Sequence, residues 1–167
     1  MKSSFLSCSS KVFDLSKRTY IMGILNVTPD SFSDGGKFKD PEKAVKHAFK
    51  LQNDGADILD IGGESTRPGA SPVSVEEEKA RILPVIKMLA GKLKIPISVD
   101  TYKAEVAEAA IEAGAEIVND ISALRFDSKM GNIVAYFKVP VILMHMKGTP
   151  KTMQKNISYN NLINCLL

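Results

Sequence analysis

Five short apolar runs, each ending on a polar residue and followed by a helical pattern, constrain this chain more than anything else in it. The runs are 20–25, 57–61, 95–99, 116–118 and 139–144, rich in Ile, Val, Leu and Met. Strands apolar on both faces belong to a parallel sheet covered by other elements; a half-solvated antiparallel strand would alternate. Between the runs the apolar period lengthens to that of a helix, so the order is βαβαβαβαβα and the class is α/β. No internal repeat or linker divides the chain, and residues 1–167 read as a single domain.

The helices have readable ends. Asp40-Pro41 is an N-cap followed by a first-turn proline, with Ala44, Val45, Ala48 and Leu51 facing inward and Gly55 as the stop. Ser74-Val75-Glu76-Glu77 has the form of a capping box. It predicts a helix burying Ala80, Leu83, Ile86 and Ala90 and ending at Gly91, with Pro84 kinking or splitting it. Residues 103–113 carry Val106, Ala109, Ala110 and Ala113 on one face. Asp127 is the expected cap of a fourth helix with Met130, Ile133, Val134 and Phe137 inward, and a fifth is expected to begin near Tyr159.

Composition narrows the function classes. The net charge of +3 comes with no basic block, and aromatics make up only 7%, so nucleic-acid binding is not favoured. No apolar run is long enough to span a membrane. The start, Met1 to Cys8, only faintly resembles a secretory or lipoprotein signal, because its apolar part is too short. A cytoplasmic location is therefore expected. Cys8 and Cys165 lie far apart with no CxxC, and there are two His, so neither a zinc site nor a His-rich metal centre is indicated.

Two architectures accommodate the pattern. A five-stranded doubly wound sheet would be complete at this length, whereas a (β/α)₈ barrel needs roughly 250 residues. The strand ends favour the barrel. They carry Asn26, Gly62-Gly63-Glu64-Ser65, Asp100, Asn119 and His145, and a barrel would gather these into one ring. The first βα turn, Asn26-Val27-Thr28-Pro29-Asp30, also lacks the glycines of a nucleotide-binding loop. From the residues alone both architectures stay open.

Chemistry-bearing residues cluster at these ends. The segment from Gly23 to Gly36 runs from a strand into a long loop, where Phe32 among polar neighbours suggests a lid. In Asp60-Ile61-Gly62-Gly63-Glu64-Ser65-Thr66-Arg67-Pro68-Gly69, glycines permit close backbone approach, and Ser, Thr and Arg offer donors to phosphate or carboxylate. Glu64 and Arg67 could equally be a solvated surface pair. Asp60 lies within the strand and needs a partner. Asp100 and Asn119 end neighbouring strands. A carboxylate there can accept two hydrogen bonds from an amino-amidine edge, and an amide can donate and accept, which suits a guanine-like or pterin ring. Asp100 could instead merely cap the next helix. Met144 could pack on a flat ring, and His145 reads as structural.

Taken together, MGILNVTPDSFSDGG, GADILDIGGESTRPGA, ISVDTYKAEVAEAA, AEIVNDISAL and PVILMHMKGTPKTMQ resemble the dihydropteroate synthase family of pterin-binding enzymes, in family order from residue 22 to 154. NVTPDSFSDGG and GGESTRPG separate that family from the related pterin-binding methyltransferase modules. The resemblance implies a TIM (β/α)₈ barrel truncated to about its first five strands. It implies a transferase of folate biosynthesis that joins 6-hydroxymethyl-7,8-dihydropterin diphosphate to 4-aminobenzoate, giving dihydropteroate and diphosphate with Mg²⁺. By matching motif, Asn26 would help hold Mg²⁺ and the diphosphate. Asp100 and Asn119 would bind the pterin edge, with Ile121 and Met144 lining its slot. Phe32 and Asp34 on one loop, and Ser65, Thr66, Arg67 and Pro68 on the next, would close over the reacting groups, with Asp34, Thr66 and Arg67 catalytic. The second loop resembles the family's sulfonamide-contact region.

Partners are then small molecules, with no nucleic acid or membrane, and a homodimer for the full-length family. The family's later DPGxGFGK-like, Ser-x-Lys and Arg-x-His segments do not occur in this sequence. An N-terminal part without synthase activity of its own is accordingly expected.

Overall fold

Strand order separates the two architectures. The computed structural model describes residues 4–28, 41–65, 72–149, 152–153 and 157–166. Its main sheet is parallel, with strands β3 (Met22–Asn26), β4 (Ile58–Gly62), β5 (Ile97–Asp100), β6 (Ile117–Asp120) and β7 (Val141–Leu143) in sequential order. A doubly wound sheet reverses its order at a switch point; a barrel does not. The helices α1 (Pro41–Asn53), α2 (Val75–Leu89), α3 (Ala104–Glu112) and α4 (Met130–Phe137) alternate with the strands, and the short α5 (Leu162–Leu166) follows β7.

Register sorts the side chains into two faces. Leu25, Ile61, Val99, Val118 and Val141 form one row across all five strands. They pack with Ala44 and Ala48 of α1, Ile82, Val85, Ile86 and Leu89 of α2, Ala107 and Ala110 of α3, and Met130 of α4. The helices thus share one side of the sheet, as in a barrel. Among the described residues no helix is long and apolar enough to cross a membrane.

The other face is covered at its lower end by an element that the sequence pattern did not suggest. Strands β1 (Phe5–Ser7) and β2 (Val12–Asp14) form an antiparallel hairpin. Fully buried Phe13 packs against Ile58 and Ile117, with Leu6, Tyr20, Met22 and Ile142 around them. The Phe13 and Tyr20 rings meet edge-on with centroids 5.0 Å apart. The turn is tied to the foot of β6 by Glu116, which accepts from Ser9 Oγ at 2.8 Å, Ser10 N at 2.6 Å and Ser10 Oγ at 2.8 Å. Below β4, Arg18 grips Asp57 with both guanidinium amines, at 2.9 and 2.5 Å.

Several helix details depart from expectation. Helix α2 is not split at Pro84. Pro84 and Ala80, whose carbonyl loses its partner there, are both exposed, so water can take the bond. Of the expected inward set Ile86 is buried and Leu83 packs half-buried against the core, but Ala80 faces solvent, and the rest of the buried face is Glu78, Ile82, Val85 and Leu89. Ser74 Oγ does accept from Glu77 N at 3.1 Å, but the Glu77 carboxylate pairs with Arg81 instead of completing the capping box. Asp127 braces two helices, accepting from Ala104 N at 2.9 Å and Lys129 N at 3.0 Å. Helix α5 starts later than expected because Asn161 Oδ1 accepts from Asn164 N at 3.1 Å. The expected cap Asp40 lies outside the described residues.

Truncating Phe13 should empty the centre of the lower cluster. We expect Phe13→Ala to lower unfolding stability by about 3–5 kcal/mol, read from urea denaturation followed by circular dichroism. A loss of a few tenths would mean that the hairpin only rests on the sheet.

Candidate functional site

The upper end of the uncovered face carries the polar strand ends. Asn26, Gly62, Asp100, Asn119 and Ile142 are register partners in one row across β3–β7. Ile24, Asp60, Ser98 and Ile117 form the row below. Side chains alternate along a strand, so both rows point away from the helices. Gly62 leaves room in the upper row: a Cβ there would stand 3.5 Å from both Asn26 Oδ1 and Asp100 Oδ2. Gly63 is small for another reason, since a Cβ would come within 2.8 Å of Ile82 and 3.0 Å of Glu78 on α2.

Asp100 does not cap α3. That helix has Lys103 at its N-cap with no side-chain bond, and Thr101 Oγ1 accepts from Lys103 N at 3.2 Å. Instead, among the described residues, Asp100 Oδ1 is buried with no hydrogen-bond partner, as are Asp60 Oδ1 and Ser98 Oγ nearby. Asn119 Nδ2 donates to Asp60 Oδ2 at 3.0 Å. An ionised Asp60 can only accept, so this bond directs the Asn119 carbonyl elsewhere. Burial pushes the Asp100 carboxyl up to about 7, with repulsion from Asp60, Glu78, Asp120 and Glu64 adding to it. Burial raises Asp60 as well, tempered by the adjacent Ser98 hydroxyl and Asn119 amide. Two desolvated carboxyls with open acceptor positions are arranged to receive hydrogen-bond donors.

The remaining expected residues fall as follows. Ile121, buried, and half-buried Met144 follow β6 and β7 directly, and Met144 N donates to Asp120 O at 3.2 Å. Asn26 is exposed at the tip of β3, and Ser65 is half-buried past β4. Phe32, Asp34, Thr66, Arg67 and Pro68 lie outside the described residues, as does most of the first long loop. His145 is exposed, and its Nε2 lies 3.0 Å from Tyr159 Oη.

Glu64 is no solvated surface group either. It bonds Lys103 Nζ and accepts from Tyr102 Oη at 2.9 Å, and Lys103 also reaches buried Glu78. Ser98, Lys103 and Glu78 escaped the reading of the residues, which marked Asp60 only as a strand carboxylate in need of a partner. The signal for Asp60 was its place inside a buried strand.

The raised Asp100 pKa has a sign. Its proton is held more tightly in the folded chain than in the unfolded one. The group's contribution is therefore fully present below about pH 4 and is lost as pH rises toward about 7. Asp100→Asn should leave stability at pH 4 nearly unchanged and raise it at pH 8 by on the order of 2–4 kcal/mol. Urea midpoints of both proteins at the two pH values test this. Equal differences at both pH values would show that Asp100 is not desolvated.

Residues 22–166 match the family model described as "Pterin binding enzyme". The dihydropteroate synthase of Clostridium beijerinckii is 51% identical over 162 residues, covering 97% of this chain and 58% of that protein. The solved structure of Xanthomonas albilineans dihydropteroate synthase with 4-aminobenzoic acid is similar at a TM-score of 0.85 and 47% identity, covering 99% of this chain and 57% of that one. The Yersinia pestis dihydropteroate synthase in complex with a sulfonamide drug has a TM-score of 0.86 and 45% identity, at 98% and 58% coverage. The chain thus spans a little over half the length of these relatives. With the sequential sheet, the one-sided helices and the polar strand-end row, this match places the chain in the pterin-binding enzyme family.

Proposed function

We propose that this chain forms the pterin-binding side of a dihydropteroate synthase. The observation that carries the reading is the buried, unpartnered Asp100 Oδ1 beside Asn119 at the strand ends. The amino group and ring N–H of a pterin donate in parallel, and a carboxylate accepts both. Asn119, oriented by Asp60, supplies a further polar contact, and Ile121 and Met144 flank the ring. In the reaction, the amine of 4-aminobenzoate attacks the exocyclic methylene carbon. The bond from that carbon to the diphosphate oxygen breaks, diphosphate leaves, and the amine gives up a proton. The protein's part is to hold the two reactants in line and to meet the leaving charge. Ser65, Thr66, Arg67 and Pro68 on one loop, with Phe32 and Asp34 on the other, are assigned to the 4-aminobenzoate side. Support comes from the 4-aminobenzoic acid and sulfonamide named with the two solved relatives.

Mg²⁺ belongs to this reading. Among the described residues there is no cluster of three or more His, Cys, Asp or Glu to cage a metal. Mg²⁺ needs none when phosphate oxygens and waters fill most of its positions. The exposed Asn26 side chain beside Gly62 fits as the one protein oxygen required. When bound, the ion would neutralise charge on the diphosphate. The same reading assigns a cytoplasmic location and a homodimer to the whole enzyme. The chain spans a little over half the length of its relatives, which favours a further point, that residues 1–167 alone bind the pterin without turning it over. Dihydropteroate made by the isolated chain would contradict it.

Calorimetry tests the assignment. Asp100→Asn puts a donor against a donor and should cost pterin binding about 2–4 kcal/mol, with or without the diphosphate. Asn26→Ala should weaken only the diphosphate form, by about tenfold, because it loses one contact to a charged group. Unchanged affinity in the first variant, or equal losses for both ligands in the second, would overturn the corresponding role.

A further inference from the structure

The polar groups next to the pterin row include one arrangement that the reaction has not used. Lys103, at the N-cap of α3, sends its ammonium into the base of the loop between β4 and α2. It donates to Val73 O at 2.8 Å, to Glu78 on α2, and to Glu64 just past β4. Glu64 in turn accepts from Val73 N at 3.4 Å and from Tyr102 Oη at 2.9 Å. Both backbone groups of Val73 are therefore held by the pair, one by each member. Glu64 precedes the segment 65–72 and Val73 follows it, so the two ends of that segment are joined through side chains of β5–α3.

This is not a surface ion pair. The side chains of Lys103, Glu64 and Glu78 are 14%, 11% and 1% exposed. Pairs this far from water depend strongly on geometry, and removal of one member leaves an uncompensated charge. One ammonium serves two carboxylates here, and its three donors are all used. Burial alone would lower the Lys103 pKa, but Glu64 and Glu78 outweigh it and raise it, so the cation persists. Tyr102, in the same cluster, is pushed up to about 12 by burial and by its bond to Glu64, so it remains a donor.

We propose that Lys103 and Glu64 are positioning residues for the second substrate: they clamp the base of the loop that carries Ser65, Thr66, Arg67 and Pro68. The inference rests on the dihydropteroate synthase reading, which gives that loop to 4-aminobenzoate. It leaves the pterin contacts in place, because Asp100 and Asn119 are held by the β5–β6 ladder itself, and Glu64 and Glu78 touch them only through a repulsion secondary to burial at Asp100.

Two variants test it without stranding a charge. Lys103→Met combined with Glu64→Gln and Glu78→Gln removes the ammonium together with both carboxylates it serves. Glu64→Gln leaves Lys103 paired to Glu78. Hydrogen exchange of the peptide spanning residues 64–74 should accelerate about tenfold in both, because Val73 loses a bond to a charged group. Exchange in β5 and β6 should stay as in the unaltered chain. Calorimetry with pterin diphosphate present should then show 4-aminobenzoate affinity falling by about tenfold, with pterin affinity changed less than about twofold.

Unaltered exchange at 64–74 would overturn the clamp. Faster exchange with both affinities retained would reduce it to a structural tie and overturn the positioning role. Equal losses for both ligands would do the same, since the effect would not be confined to the second substrate. An unaltered chain that binds neither ligand would overturn the dihydropteroate synthase reading and the role built on it, while exchange would still decide whether the clamp exists.

Discussion

Side-chain alternation along parallel strands is the constraint from which the rest follows. One residue places Leu25, Ile61, Val99 and Val118 against the helices, and the next places Asn26, Gly62, Asp100 and Asn119 on the opposite face. A one-residue slip of any strand would exchange the two rows, putting carboxylates under helices and valines into the polar row. The apolar row is therefore what holds the polar row in register. It also allows the polar row to contain groups that disfavour folding, since Asp60 and Asp100 are desolvated and incompletely bonded. Local cost at a binding site, tolerated because packing elsewhere is good, is a common division of labour.

Both ends of the uncovered face have their own fastening. At the bottom, Phe13 fills the space between Ile58 and Ile117, and Glu116 holds the hairpin turn through three hydrogen bonds. At the top, Lys103 and Glu64 join the two ends of the β4–α2 loop. The two devices differ in kind for a physical reason. A hydrophobic plug suits a place with no ligand to admit. A buried ionic clamp has directional bonds, so it fixes where a loop starts and ends rather than only that it is covered.

Much of this was legible in the residues. All five strands of the main sheet were read to within two residues at their ends, because short β-branched runs bounded by helix caps leave few alternatives. Asn26, Asp100 and Asn119 were marked by their place at strand ends, and they do share one row. The hairpin was not legible: two three-residue strands with a single buried side chain carry no period to detect. The buried face of α2 was misjudged in part because Ala80 is apolar yet small enough to face water, while Glu78 is charged yet buried by its bond to Lys103. A partner 25 positions away is invisible to any local pattern. Whether Asp100 capped a helix or faced a ligand could not be decided from spacing; the free Oδ1 decides against the cap.

The central claim is that Asp100 is a buried acceptor waiting for donors. Its carboxyl carbon can be followed by nuclear magnetic resonance through a pH titration, first alone and then saturated with a pterin. The account predicts a midpoint near 7 in the free chain, and a marked fall on binding, because hydrogen bonds to the ionised form favour it. A midpoint near the ordinary aspartate value in the free chain, or one that pterin leaves unmoved, would contradict it.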